Sequence, residues 1–74
     1  MPTQNEWESK AANLLKAELK RKGVTYAQLV EKLGAIGVSE KEVNVANKLS
    51  RGKFSAAFML QCLSAVGSLQ LYLD

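Results

Sequence analysis

Apolar residues recur at helical spacing in four stretches of the chain, and in a fifth they alternate. In the first stretch, residues 6–22, Trp7, Ala11, Leu14, Leu15 and Leu19 mark the inward face of a helix. Its start is offered twice, by Thr3 with Glu6 and by Asn5 with Glu8. Acidic residues open it and Lys20-Arg21-Lys22 close it, which suits the macrodipole, and Gly23 supplies the stop. Thr25-x-x-Gln28 is a capping box with Val24 and Leu29 at the staple positions. It predicts a second helix over residues 25–34 with Leu29, Val30 and Leu33 inward and Ala27 small enough to admit a neighbour. Gly34-Ala35-Ile36-Gly37 reads as a turn with Ile36 folded back onto the core.

Ser39-x-x-Glu42 repeats the capping-box pattern, with Val38 and Val43 as the staple pair. The third helix is therefore expected over residues 39–51, with Val43, Ala46 and Leu49 inward and Gly52 as its stop. A fourth, over residues 55–66, carries Phe58, Met59, Cys62, Leu63 and Val66 on a wide apolar face and is expected to be the central core helix. Beyond Gly67-Ser68 the period changes. Leu69, Leu71 and Leu73 alternate with Gln70 and Tyr72, the pattern of a half-buried strand over residues 69–73. A lone strand leaves backbone groups unpaired, so it is expected to pair with its copy across a homodimer, with Leu69, Leu71 and Leu73 at the interface.

Composition narrows the class. Seventy-four residues suit one small domain, and 47% hydrophobic content is too high for a disordered chain. A single cysteine, Cys62, forbids an internal disulfide, and its apolar surroundings mark it as a small core residue. With no histidine, no metal site of His/Cys type is expected. Residues 54–73 are uncharged over a length that could span a membrane, yet serines, glutamines and Gly67 interrupt the run; a buried helix followed by a strand is expected instead. Glu6 and Glu8 near the N-terminus, with no apolar stretch beside them, argue against a secretory signal, so the expected compartment is the cytoplasm.

The chemistry that stands out is on the third helix. Asn44, Asn47, Lys48 and Arg51 share one face at helical spacing, and that face has no carboxylate. Asparagine pairs bidentately with adenine, and arginine and lysine with guanine or phosphate. The net charge of +3 is mild, but between Lys41 and Lys53 the only acid is Glu42, already assigned to a cap. The Tyr26 hydroxyl is placed to reach a phosphate or to cover the domain surface. The Lys20-Arg21-Lys22 run serves the helix dipole, with phosphate contact as a second use. No catalytic constellation and no nucleotide-binding glycine motif is present, so a binding module without cofactor is expected rather than an enzyme.

Gly23-Val24-Thr25, Ala27-Gln28-Leu29-Val30, Leu33-Gly34, Val38-Ser39, Val43-Asn44 and Arg51-Gly52 ahead of an apolar helix together resemble the lambda-repressor/Cro-like helix–turn–helix domains of small bacterial and phage regulators. The runs from Leu19 to Tyr26 and from Val43 to Phe54 more closely resemble a family of short bacterial proteins described only as a domain of unknown function. The broader resemblance implies that the third helix enters the major groove of double-stranded DNA. Asn44, Val45, Asn47 and Lys48 would then meet base edges, Val45 against a thymine methyl. Tyr26, Lys41, Arg51 and Lys53 would hold phosphates, as would the amide end of the second helix. Two features depart from that pattern: Ala35-Ile36-Gly37 lengthens the turn, and the third helix runs longer before its Arg-Gly stop.

The expectation is thus one all-α helix–turn–helix domain over residues 1–74, with a C-terminal strand, binding DNA as a homodimeric transcriptional regulator. The alternative is a protein-interaction adaptor, antitoxin-like or a phage accessory protein, that keeps the fold without DNA binding and docks a partner through Trp7, Tyr72 and the leucine strand.

Overall fold

The computed structural model describes residues 4–68, with side chains from Glu6 onward. They form four helices, α1 (Gln4–Lys22), α2 (Tyr26–Ala35), α3 (Glu42–Arg51) and α4 (Ala56–Ala65). The all-helical class expected from periodicity is what is observed. The expected strand and its interface residues Leu69, Leu71 and Leu73 lie outside the described residues. So does Thr3, while Asn5 falls inside α1 rather than at its cap.

Two layers make the domain. α1 packs on α3 and α4, and α2 packs on the same two. The core between them is Leu15 and Leu19 of α1, Leu29 and Leu33 of α2, Val45 and Leu49 of α3, and Phe58, Cys62 and Leu63 of α4. Each fully buried leucine contributes about 2 kcal/mol through removal of apolar surface from water. On α1 the inward stripe is Ala12, Leu15 and Leu19, whereas Trp7 is exposed, with Lys10 Nζ 5.8 Å from its ring centroid. Ala27 also faces solvent rather than a neighbouring helix.

Local chemistry fixes the ends of α2 and α4 as their sequences suggest. Thr25 caps α2 reciprocally: Gln28 N–H donates to Thr25 Oγ1 at 3.2 Å and Thr25 N–H donates to Gln28 Oε1 at 2.9 Å. Ser55 Oγ accepts from Phe58 N–H at 3.0 Å to start α4. α2 stops in a Schellman turn, with Val38 N–H reaching Leu33 O at 2.9 Å and Gly37, at φ 85°, in the left-handed position. In that turn Val38 is the residue folded back onto the core, and Ile36, at the cap, stays 49% exposed. Ile36, expected on the core, is the residue that the turn leaves outside.

α3 departs further. Its N-cap is Lys41, with extended backbone and no side-chain cap hydrogen bond, so the Ser39–Glu42 capping box does not form. Residues 38–41 form no regular secondary structure, and Glu40 pairs across eight residues with Lys48. Moving the cap from Ser39 to Lys41 moves the inward fourth position of the helix from Val43 to Val45. Val45 and Leu49 are accordingly buried, and Val43 is 61% exposed. At the other end Gly52 closes α3 at φ 70°, its N–H on Lys48 O at 2.9 Å. A Cβ at Gly52 would overlap the Glu8 backbone carbonyl, so glycine is needed there both for its conformation and for the close approach of α1.

Candidate nucleic-acid interface

The outward face of α3 follows from what is buried beneath it. With Val45 and Leu49 at the core, helical spacing turns Val43, Asn44, Asn47, Ser50 and Arg51 to the opposite side, and all five are exposed. The side chains of Asn44, Asn47, Ser50 and Arg51 make no hydrogen bond or ion pair among the described residues. Among the described residues no carboxylate interrupts the face: Glu42 lies on the other side of the helix axis and Glu40 is drawn under it to Lys48. Lys41 and Lys53, both exposed, bracket the two ends of α3.

Two of the residues expected at base edges are elsewhere. Val45 has no exposed surface and cannot meet a thymine methyl; the two-residue shift of the cap rotated it into the core. Lys48 lies at the flank of the helix, half-buried, where its Nζ is 2.7 Å from Glu40 Oε2 and 4.3 Å from the centroid of the Phe58 ring. Both contacts are favourable for a cation, one ionic and one with the ring face. The charges of this cluster also act on Cys62. Burial, with a smaller contribution from the Glu40 carboxylate that Lys48 partly offsets, pushes the Cys62 thiol up to about 11.

Tyr26 belongs to a second group. It is half-buried against the core and lines a groove with Lys16, Leu19, Lys20, Val24 and Thr25. The Tyr26 and Ala27 amides in the first turn of α2 have no helical carbonyl a turn before them. Lys16 and Lys20 were not singled out with Tyr26 from sequence; their spacing of four on α1 is the signal that places them on one side of that helix.

The rest of the basic run at the end of α1 is structural. Arg21 forks onto Glu18, with Nε 2.7 Å from Oε2 and an Nη2 contact of 3.3 Å to Oε1. Ser68 Oγ donates to the same carboxylate at 3.1 Å, and Lys22 Nζ donates to Gly67 O at 3.4 Å. These bonds tie the end of α4 to the end of α1. The Arg21 guanidinium holds the Glu18 carboxyl below its ordinary value, with Ser68 adding to the effect and burial opposing it.

Residues 7–71 match the model of a family described as a domain of unknown function (DUF6471). The chain belongs to that family. The match spans all four helices and the α3 face, so the arrangement described here lies wholly within the family's domain apart from the first turn of α1. No curated protein and no solved structure matches the chain. Among the described residues no group of side chains has the make-up of a metal site, and no helix is long and apolar enough to cross a membrane.

Proposed function

We propose that this domain binds double-stranded DNA through the outward face of α3, as a small helix–turn–helix regulator. The observation that carries the reading is the exposed set Asn44, Asn47 and Arg51, which among the described residues has no partner and no carboxylate on its face. Amide and guanidinium groups are the side chains that pair bidentately with base edges, and leaving them without intramolecular partners keeps them available. Lys41 and Lys53 at the two ends of the helix suit phosphate contact, which sets register but not sequence. Tyr26, with Lys16, Lys20 and the amide end of α2, offers a second phosphate site of the same kind. A homodimer would present two such faces and favour a roughly palindromic site.

A second reading, a protein-interaction adaptor, is favoured by the exposed Trp7 and Leu60, at 58% and 65%. Anisotropy of a labelled duplex of random sequence separates the two. The DNA reading expects binding at low salt that weakens as salt rises, and a marked loss on Asn47→Ala/Arg51→Ala. Affinity untouched by that double substitution would remove α3 from the interface; no binding at low salt would favour the adaptor.

A further inference from the structure

We propose that the α3 face reads A·T base pairs, with Val43 as the residue that recognises the thymine 5-methyl group. The inference rests on the DNA-binding reading above and adds to it the class of sequence that the site takes. Val43 is 61% exposed in the first turn of α3, beside exposed Asn44 and one turn before exposed Asn47. Val43 is the one aliphatic side chain of the outward face, and it stands beside its amides. In the major groove the same trio has a single consistent set of partners. The asparagine amides match the N7 acceptor and N6 donor of adenine, and the only base group that an aliphatic side chain recognises there is the thymine methyl. A·T pairs present both on opposite strands of one step. Arg51, the one side chain of the face suited to guanine, sits at the last residue of the helix, one turn beyond Asn47. The first two turns of α3, the part of a recognition helix that meets base edges, therefore carry the A·T-reading groups.

The test uses the full chain and a duplex library with a randomised centre. After selection, each thymine of the enriched site is replaced in turn by uracil, which deletes the methyl group and leaves every hydrogen-bonding group in place. The expected result is an A·T-containing site in which one thymine-to-uracil change weakens binding by about fourfold, the worth of one buried methyl. That change should cost nothing in Val43→Ser, which has no methyl group, and should still cost affinity in Val43→Thr, which keeps one. Because Val43 is exposed, both variants should fold, as circular dichroism would verify. Enrichment of a G·C site, or uracil tolerated at every position by the wild type, overturns the assignment of Val43 while leaving DNA binding intact. No enrichment and no binding at low salt overturns the DNA reading itself, and this inference with it.

Discussion

Lys48 Nζ lies 2.7 Å from Glu40 Oε2, so the segment ahead of α3 is bound to the helix one turn before its Gly52 stop. The pair is partly shielded, with Glu40 at 14% and Lys48 at 35% side-chain exposure. Its ionic hydrogen bond ties the segment ahead of α3 to the helix and takes Lys48 out of the set available to a partner. Glu40→Gln and Lys48→Met should each lower stability by about 1 kcal/mol, with Lys48→Met the larger because it strands a shielded carboxylate. Urea unfolding gives the comparison, and equal midpoints for both variants and wild type would show the pair to be idle.

The rotation of α3 has its own check. Val45→Ala opens a cavity in the core and should cost about 2 kcal/mol, whereas Val43→Ala should change stability by less than about 0.5 kcal/mol. Chemical denaturation of the two variants side by side decides it. The reverse order would restore the register that a cap at Ser39 implies.

Gly52→Ala meets two obstacles at once, a left-handed backbone and the Glu8 carbonyl. The backbone alone costs about 1–2 kcal/mol, and the steric overlap adds to that because a helix backbone cannot swing aside as a side chain can. A drop in the urea midpoint clearly larger than that of Gly23→Ala, whose added Cβ would meet nothing within 4 Å, is the expected outcome. Equal losses would mean that the α1 contact contributes nothing.

Glu18 makes stability depend on acid. Its carboxyl is held below the ordinary value of 4.5, so the ionised form is favoured by folding. The stabilisation is complete above that value and disappears as pH falls through the lower folded one. Melting temperatures of wild type and Glu18→Gln should differ at neutral pH, draw together as pH falls below about 4.5 and coincide only below the lower folded value. A difference that persists unchanged into acid would assign the effect to packing rather than to the Arg21 ion pair.

Much of this architecture is legible in the chain. The four helices, the Thr25–Gln28 box, the Ser55 cap and the glycine stops are local devices, set by residues within four or five positions of one another. What was not legible is the start and rotation of α3. Ser39-x-x-Glu42 satisfies the capping pattern, and valines at both 43 and 45 satisfy either inward register. The choice between them is made by tertiary contacts: Val38 folded back onto the core, Glu40 held by Lys48, and Phe58 under the lysine. The same contacts decide the candidate site. Asn44, Asn47 and Arg51 stay outward in both registers, Val45 and Lys48 leave the face, and Val43 joins it.

The most direct measurement is an NMR titration of labelled protein with a random-sequence DNA duplex, first at low and then at physiological salt. The account predicts amide and side-chain shifts centred on Val43, Asn44, Asn47, Ser50 and Arg51, with Lys41 and Lys53 at the margins, all weakening as salt rises. Val45 and Leu49, buried beneath that face, should shift less than their neighbours. Shifts gathered instead around Trp7 and Leu60, or none at low salt, would contradict the central claim that the outward face of α3 is a DNA-binding surface.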